Sequence, residues 1–311
     1  MFRMTSAVVG AALLFAAANE GAIAQTKLNV GCTATTDCAS AAVALDEGIF
    51  KKNGLDVTMT LIGLNSNIPA ALFSNSIQIG GPTPSVFLQA VDGGLDLVAV
   101  AGASSTSEKT YDTAGVVASP ASGIKGPKDF VGKKVGAPGI GAFLHVLFSK
   151  WLIDNGVSPK QVNFVEVTFP TMSDTLKSGA VDAVVTAEPI MSRIIASGTG
   201  AVVGYYLQKL PERRPAIVYS STRAWADANA DTLKAFRASI EEGAKIANEN
   251  PEKGRQSIAK FTKIPMDVLS KMKLSVADPK LDKEQLDWWV ATMNEQAMLQ
   301  GKPDTATLIQ K

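Results

Sequence analysis

The residue types that usually carry catalysis or metal binding are scarce in this chain. Its 311 residues include a single histidine, His145, and two cysteines, Cys32 and Cys38. A protein zinc site needs several closely spaced histidine, cysteine or carboxylate ligands, and the sequence offers no such spacing. It also contains no recognisable catalytic triad. We therefore predict no catalytic residues, no metal site and no cofactor.

The two cysteines lie close together near the start of the chain. A strand end that leads into a helix start can bring two such Cα atoms within disulfide range. An oxidising compartment would favour the bond between Cys32 and Cys38. Two buried free thiols are the alternative, and the sequence does not decide between these states.

A glycine-rich run at residues 136–143 opens a predicted helix. Free N–H groups and the positive end of the helix dipole favour an anionic oxygen at such a position. Gly141, Ala142 and Phe143 are therefore candidate ligand-binding residues, unless the glycines serve only a tight turn. The glycine spacing reverses that of a dinucleotide-binding motif, so a Rossmann cofactor site is not predicted. His145 follows closely, and it either lines the site or packs elsewhere.

These residues must be positioned by an α/β scaffold, because short β-rich runs alternate with amphipathic helical stretches. Helices are predicted at residues 39–52 and 141–155. From Trp225 onward the pattern is almost wholly helical, with Asn229 or Asp231 as one helix cap and Asp282 with Gln285 as another. The predicted strands are residues 28–31, 55–62, 77–80, 95–101, 116–118, 134–137, 162–167, 183–186, 201–204 and 216–220.

Ligands of open α/β sheets sit beyond the carboxyl ends of the strands. The segments that follow predicted strands are rich in hydroxyls, amides and glycines, the groups that fix a small polar ligand. Thr36, Asn65 and Thr83 are candidate ligand-binding residues on this basis, although polar residues also cap helices. The segments are residues 32–37, 64–67, 81–85, 139–143 and 186–188.

Two stretches of the chain, residues 71–79 and 175–183, look like copies of one another. Each is predicted to be a helix end, an Asn or Gly suited to a left-handed cap, and then a buried strand. Two similarly built α/β lobes account for both copies. Chance similarity of a common helix–turn–strand unit is the alternative.

The N-terminus has the features of a signal peptide. Arg3 precedes an apolar run at residues 7–18, and the small-residue pattern at residues 22–24 is typical of a cleavage site. We predict a cleaved signal peptide at residues 1–24 and a soluble periplasmic protein; an uncleaved anchoring helix is the alternative. Lys and Arg total 30 against 29 Asp and Glu, a net charge of +1. This balance predicts no nucleic-acid partner.

Three further stretches carry a recognisable family pattern. Residues 48–57 follow G-x-F-x-x-x-G-L-x-V, and residues 182–189 follow D-A-x-x-x-x-E-P. Residues 129–138 are the third stretch. With these motifs the chain resembles the periplasmic substrate-binding proteins of nitrate, sulfonate, taurine and thiamine-precursor importers, in which a segment similar to residues 129–138 leads into the second lobe. Asn75 and Gln78 depart from the family pattern, because they stand where the family often has Gly and Asp.

The resemblance implies a two-lobed periplasmic-binding-protein type II fold, two α/β lobes joined by two crossing strands. Residues 25–114 and 219–311 would form the first lobe and residues 115–218 the second, with crossings near 113–118 and 216–221. Glu188 would face the cleft and accept hydrogen bonds from an amine or ring N–H, unless it has a hinge or salt-bridge role. Tyr219, on a crossing, would stack on the ligand or pack between the lobes.

The function implied is that of a monomeric solute-binding protein that delivers a small organic ligand to the membrane subunits of an ABC importer. No Arg lies in the predicted cleft segments, so a sulfonate, carboxylate or pyrimidine is favoured over nitrate, although Arg213 and Arg214 could reach inward. Two alternatives are a pyrimidine-synthase-like enzyme on the same fold and a partner of a membrane sensor. The enzyme would need a cofactor lysine, histidine chemistry and a cytosolic address, so we predict that the protein is not an enzyme.

Overall fold

The computed structural model describes residues 25–311, and the signal peptide predicted at residues 1–24 lies outside them. The described chain forms two β-sheets with helices packed against them. The strands are β1 (Thr26–Cys32), β2 (Leu55–Leu61), β3 (Ile79–Gly80), β4 (Leu97–Ser105), β5 (Ala114–Ala118), β6 (Lys134–Ala137), β7 (Asn163–Glu166), β8 (Ala183–Ala187), β9 (Ala201–Gly204), β10 (Pro215–Thr222) and β11 (Val276–Ala277). The helices are α1 (Ala39–Asp46), α2 (Ile49–Lys52), α3 (Ile68–Phe73), α4 (Pro84–Asp92), α5 (Phe143–Asp154), α6 (Met172–Lys177), α7 (Ile190–Ala196), α8 (Arg223–Ala228), α9 (Ala230–Glu249), α10 (Pro251–Thr262), α11 (Met266–Leu269) and α12 (Lys283–Glu295).

The two sheets share one strand arrangement. The first has the order β11-β4-β10-β3-β1-β2 and the second has the order β7-β6-β8-β5-β9. In the first, β1 runs parallel to β2 and β3, and β10 returns antiparallel to β3. In the second, β6 runs parallel to β7 and β8, and β5 returns antiparallel to β8. The series β2-β1-β3-β10 therefore matches β7-β6-β8-β5, and the two similarly built lobes predicted from the sequence are present.

The repeated stretches have the same turn after their helices. Asn75 follows α3 with φ 57°, and Gly179 follows α6 with φ 73°. The Asn75 N–H bonds to the Leu72 carbonyl at 3.0 Å, and the Gly179 N–H bonds to the Leu176 carbonyl at 3.2 Å. Asparagine tolerates the left-handed conformation better than most residues, so its presence in place of glycine preserves the turn.

The residue that precedes each repeated strand also has the same role in both lobes. The side-chain oxygen of Gln78 accepts the Asn29 N–H at 2.9 Å, and that of Asp182 accepts the Lys134 N–H at 2.8 Å. Each bond ties the new strand to the first strand of its sheet. The departure at Gln78 from the family pattern therefore leaves the local structure intact.

The predicted positions of the crossing segments are wrong by several residues. The strand β5 lies wholly in the second sheet, and β10 lies wholly in the first. The chain passes between the sheets at residues 106–113 and 205–214 instead. Residues 215–218, which the predicted division assigned to the second lobe, consequently lie in the first-lobe sheet. An apolar run identifies a strand but does not say which sheet it joins.

The two crossings lie side by side at their first-lobe end. The Thr106 N–H donates to the Arg214 carbonyl at 2.8 Å, and the Arg213 N–H donates to the Thr106 carbonyl at 3.0 Å. The Glu108 N–H also donates to the Glu212 carboxylate. These bonds make the pair of crossings a single connection between the lobes.

Local signals predicted the capped start of α12 and the position of α9, but not the division of the first predicted helix. Asp282 and Gln285 form a reciprocal capping box at α12, with both bonds at 2.9 Å. Asn229 is the residue before α9, although its side chain makes no capping bond. The helix predicted at residues 39–52 is divided into α1 and α2 by Gly48, which has φ 71°.

The lobes contact each other through α12. Trp289 of α12 is fully buried and packs on Phe143 of α5, with ring centroids 5.6 Å apart. The Gln296 amide donates to the Val146 carbonyl at 3.2 Å. A hydrophobic cluster that includes residues of both lobes runs through this contact.

Candidate functional site

A cleft lies between the lobes at the carboxyl ends of β1, β3, β6 and β8 and is closed on one side by the crossings. The space between its walls, with the open solvent at its mouth included, is about 980 Å³. Its lining consists of a wall from each lobe and a floor formed by the crossings. The first-lobe wall is Thr33, Thr35, Thr36, Asp37, Asn65, Thr83 and Ser105; the second-lobe wall is Pro138, Ala142, Phe143, Leu144, Phe169, Ala187 and Glu188. The crossings contribute Thr106, Ser107, Glu108, Thr110, Tyr111, Thr113, Leu207, Gln208 and Leu210, with Ala114, Ala216, Ile217 and Ser275 beside them.

The first-lobe wall is polar, and hydrogen bonds between its loops hold it in place. The Asn65 side-chain oxygen accepts the Thr83 N–H at 2.8 Å, and the Asn65 amide donates to the Gly81 carbonyl at 3.3 Å. The Thr83 hydroxyl accepts the Val86 N–H at 3.3 Å and so caps α4. The Thr36 hydroxyl accepts the Ser275 N–H at 3.1 Å. These buried side chains therefore join several loops into one surface.

Asp37 is a carboxylate held within this polar wall. One oxygen accepts the Ser104 hydroxyl and the other accepts the Thr35 hydroxyl, each at 2.8 Å. The neighbouring Cys38 is joined to Cys32 by a disulfide, with the Cα atoms 6.5 Å apart. Because the bridge spans residues 33–37, it constrains the segment that carries three of the wall's threonines.

The second-lobe wall is mostly apolar. It consists of the start of α5 together with the loops that follow β7 and β8. Phe143, Leu144 and Phe169 are each at least nine-tenths buried. The first backbone bond of α5 joins the Val146 N–H to the Ala142 carbonyl. The N–H groups of the first turn therefore have no acceptor within the helix, which also lacks a side-chain cap.

Glu188 is the polar exception on the second-lobe wall. The Ser192 hydroxyl donates to one carboxylate oxygen at 2.8 Å, and the Ser192 N–H donates to the other at 3.2 Å. Partial burial raises the pKa of the Glu188 carboxyl, the Ser192 bonds lower it, and the negative charge of Asp112 raises it further. The Glu188 N–H donates to the Thr113 carbonyl at 2.8 Å, so this residue is also tied to the first crossing.

The structure places most of the predicted site residues around this cleft. Those that line it are Thr36, Asn65, Thr83, Ala142, Phe143 and Glu188. Gly141 does not line the cleft. A Cβ at that position would stand 2.2 Å from Oε1 of Gln89 on the first-lobe helix α4. Gly141 instead allows close approach of the two lobes, with φ 78°.

His145 also lies away from the cleft and has a structural role. Its Nδ1 accepts the Gly141 N–H at 3.0 Å, and its ring meets the Phe164 ring edge-on at 4.4 Å. Accepting this bond requires an unprotonated Nδ1. Burial lowers the pKa of His145 to about 4, so the neutral ring fixes the turn that begins α5.

Three other residues considered from the sequence do not line the cleft. Tyr219 is buried in the first-lobe core, where its hydroxyl bonds to Ser40 at 3.0 Å and its ring packs on Phe236. Arg213 pairs with Asp278 at 3.0 Å. Arg214 lies over the Trp288 ring, 5.9 Å from its centroid. Tyr219 was misplaced because β10 belongs to a sheet and not to a crossing.

Two groups of lining residues were not predicted from the sequence. The crossing residues, among them Glu108 and Tyr111, were missed because the crossings were placed too late in the chain. Phe169 follows β7 as Asn65 follows β2, each in a short 3₁₀ helix that precedes α6 or α3. The internal repeat was a signal for Phe169, since it makes the two positions equivalent.

One carboxylate joins the lobes at a solvent-exposed contact between Ser66, Ile140 and Glu166, which we call the rim. Oε1 of Glu166 in the second lobe accepts the Ser66 hydroxyl of the first lobe at 3.1 Å. The same oxygen accepts the Ile140 N–H at 2.9 Å. The loops that follow β2 and β6 are thereby held together at the rim.

The cleft has a marked charge imbalance. Its lining includes the carboxylates Asp37, Glu108 and Glu188, and the part of the chain that the structure describes contributes no lysine, arginine or histidine to it. No group of three or more potential metal ligands occurs within residues 25–311. None of the helices described there has the length and apolar composition of a membrane span.

Comparisons with known proteins agree with this architecture. The NMT1/THI5-like family model matches residues 35–254. No curated protein sequence matches the chain. Among solved structures, the alkanesulfonate-binding protein SsuA from Xanthomonas axonopodis pv. citri has a TM-score of 0.76 at 15% identity, covering 92% of this chain and 98% of that one.

Two further structures are similar over comparable lengths. The aliphatic sulphonate binding protein SsuA from Escherichia coli has a TM-score of 0.69 at 18% identity, covering 91% of this chain and 97% of that one. The nitrate-binding protein NrtA from Synechocystis PCC 6803 has a TM-score of 0.74 at 17% identity, covering 91% and 84%. The predicted two-lobed periplasmic-binding-protein fold is thereby confirmed.

Proposed function

The chain belongs to the NMT1/THI5-like family, and we propose that it is a periplasmic solute-binding protein that delivers a small organic ligand to an ABC importer. The observation that carries this proposal is the cleft itself. Both lobes and both crossings line it, and it lies at the carboxyl ends of parallel strands, where α/β folds bind ligands.

The ligand would be enclosed by movement of the lobes about the crossings. Residues 106–113 and 205–214 are the only covalent connections between the two sheets within residues 25–311. They line the cleft as well as joining the lobes, so a ligand contacts the segments that must bend. Lobe closure about a few connecting residues is a common hinge motion. The importer's membrane subunits would then recognise the closed form.

The cleft favours binding without chemical conversion. Its buried polar groups are hydroxyls and one amide, its carboxylates are half-buried or exposed, and hydrogen bonds such as that of Asn65 to Thr83 hold many of the polar groups in fixed positions. The sole histidine packs outside the cleft with a lowered pKa, so it is poorly placed to act on a ligand. A pyrimidine-synthase-like activity, which would need histidine chemistry, is therefore disfavoured.

The proposal is tested by ligand-induced thermal stabilisation of the purified protein. The panel contains nitrate, taurine, alkanesulfonates, aromatic carboxylates, aminopyrimidines and riboflavin. A ligand at about one hundred times its Kd should stabilise the protein by roughly 2.7 kcal/mol, which is a shift of several degrees. Failure of the whole panel, extended to further small solutes, would contradict the binding function.

A pair of variants locates the site. Leu207→Trp fills part of the cleft from the second crossing and should abolish the shift. Leu61→Trp makes the same change at a position that is 46% exposed and outside the lining, and it should leave the shift intact. Equal behaviour of the two variants would place the ligand elsewhere.

A further inference from the structure

The charge of the cleft limits the ligands that it can hold. Its three carboxylates come from different parts of the fold: Asp37 follows β1, Glu108 lies on the first crossing, and Glu188 follows β8. A ligand between the lobes would be approached by negative charge from several sides. An anionic ligand would meet repulsion, whereas a cation would be attracted by all three groups.

No basic side chain of the described lining neutralises these carboxylates. Lys109 and Lys209 on the crossings are exposed and lie outside the lining, and three other basic residues around the hinge have partners of their own. Lys273 pairs with Asp112 at 2.7 Å, Arg213 pairs with Asp278 at 3.0 Å, and Arg214 stacks on Trp288. The partners of Asp37 and Glu188 are instead neutral groups, namely hydroxyls and one backbone N–H.

Both of the held carboxylates retain unused acceptor capacity. A carboxylate offers about four lone-pair sites. Each oxygen of Asp37 accepts one side-chain hydroxyl, and each oxygen of Glu188 accepts one bond from Ser192. The existing bonds therefore fix the orientation of each group and leave acceptor sites for a ligand N–H.

Two residues of the polar wall, each more than nine-tenths buried, have hydroxyls that provide a separate indication of a ligand. Thr33 is 5% exposed and Ser105 is 6% exposed, and both line the cleft. Neither hydroxyl bonds to another residue in the part of the chain that the structure describes. Both residues are buried as a whole, but their hydroxyl oxygens are not enclosed by protein, so they are open to the cleft and can bond to a polar group of the ligand.

The positive end of α5 does not cancel the negative charge of the cleft. The end of a helix carries roughly half a positive charge, and the cleft contains three carboxylates. Phe143, Leu144 and Phe169 instead offer an apolar surface opposite the polar wall. Such a surface suits the carbon skeleton of an organic molecule.

We propose that the ligand is an organic cation, a protonated amine or nitrogen base on an apolar body. Its N–H groups bond to the carboxylates of Asp37, Glu108 and Glu188, and its apolar body lies against Phe143 and Phe169. This inference rests on the proposed binding function and narrows the ligand class. It separates this cleft from those of the similarly folded proteins named for sulfonate and nitrate.

The test compares ligands of the same shape and different charge. Benzylamine, benzyl alcohol and benzenesulfonate serve as one matched series, and alkylamines, alcohols and alkanesulfonates serve as another. Binding is measured by calorimetry and by thermal stabilisation of the full chain. Stabilisation by amines alone is expected. Stabilisation by sulfonates or carboxylates instead would overturn the cationic class and keep the binding function, whereas no binding in any class would count against the binding function itself.

Variants of the three carboxylates test whether these groups bind the amine. Glu188→Gln and Asp37→Asn should each weaken amine binding about 10- to 100-fold, the usual loss for a charged hydrogen bond. Glu108→Gln changes an exposed side chain and keeps the test valid if Asp37→Asn fails to fold. The control is Glu241→Gln, which removes the same charge from an exposed position on α9. Unchanged amine affinity in all three cleft variants would overturn the proposal.

Discussion

The two walls of the cleft are built by the same strand arrangement and have opposite chemistry. The loops that follow β1, β2 and β3 form the hydroxyl-rich first-lobe wall, and those that follow β6, β7 and β8 form the largely apolar second-lobe wall. The equivalent residues Asn65 and Phe169 show the contrast most directly. Topology therefore decides which loops meet at the cleft, and loop composition decides what they bind.

The difference between the walls extends to what holds them in place. The polar wall depends on hydrogen bonds between loops and on the disulfide. The apolar wall depends on packing against α12 and on the His145 ring at the start of α5. Changes to the two walls should therefore differ in size and in their response to pH and reducing agents.

The largest expected effect is the loss of packing at the apolar wall. Phe143→Ala removes a ring that is nine-tenths buried against Trp289. Truncation of a buried phenylalanine costs about 3–5 kcal/mol, and the lower end is expected because the cleft admits water. Urea unfolding measures the loss as a lower midpoint.

The matched control is Phe73→Ala on α3, where the side chain is 70% exposed. This change should alter the free energy of unfolding by no more than about 0.5 kcal/mol. Equal losses at Phe143 and Phe73 would mean that the contact between α5 and α12 does not hold the lobes together.

A pH-dependent effect is expected next, and it originates in the second lobe. The pKa of His145 is about 4 in the folded protein, below the usual 6.5. Between these pH values the unfolded chain binds the proton that the folded chain excludes. Stability from this group is therefore complete above pH 6.5 and is lost as the pH falls toward 4, by about 2–3 kcal/mol.

Unfolding measured from pH 7 to pH 4 should show this loss, and His145→Gln should flatten the profile. The variant is diagnostic because the chain contains no other histidine. The raised pKa of Glu188 acts in the opposite direction, since the folded form of that carboxyl takes up its proton first. A profile that His145→Gln leaves unchanged would show that the loss arises elsewhere.

How far the sequence predicts this site depends on the range of the interactions involved. The capping box of Asp282 and Gln285 and the turn at Gly179 are local, and their sequence signals were sufficient. The internal repeat predicted two similarly built lobes. The structure shows that Gln78 and Asp182 make the same bond in the two lobes with different side chains. Candidate loops followed from strand ends alone.

The remaining features depend on which sheet a strand joins. An apolar run such as β10 has the same composition in either lobe, so the crossings and Tyr219 were misplaced. The position of Gly141 against Gln89 depends on the approach of the two lobes, which no local pattern encodes. Phe169 was predictable in principle, by transferring the position of Asn65 through the repeat.

The polar wall should respond to reduction. The disulfide between Cys32 and Cys38 closes a short loop, and its removal should cost roughly 2 kcal/mol. Both sulfur atoms stand 3.1 Å from where a Cβ on Gly81 would be, so the bridge also packs on the loop after β3. Dithiothreitol should lower the unfolding midpoint and weaken ligand binding. The double variant Cys32→Ala/Cys38→Ala should be insensitive to dithiothreitol, and a response from it would assign the effect to the reagent.

The smallest expected effect concerns the bond that joins the walls at the rim. Ser66→Ala removes the hydroxyl that donates to Glu166 across the lobes at 3.1 Å. Because this bond is exposed to solvent, its loss should change the free energy of unfolding by only about 0.5–1 kcal/mol. The Ile140 N–H keeps its bond to the same carboxylate, so the second-lobe loop remains ordered.

If the bond between Ser66 and Glu166 helps to hold the lobes together, Ser66→Ala should raise the ligand dissociation rate more than it lowers stability. Ser74→Ala, which removes a hydroxyl bonded only within the first lobe, should leave the dissociation rate unchanged, and a matching increase there would remove the rim bond from any role in lobe closure.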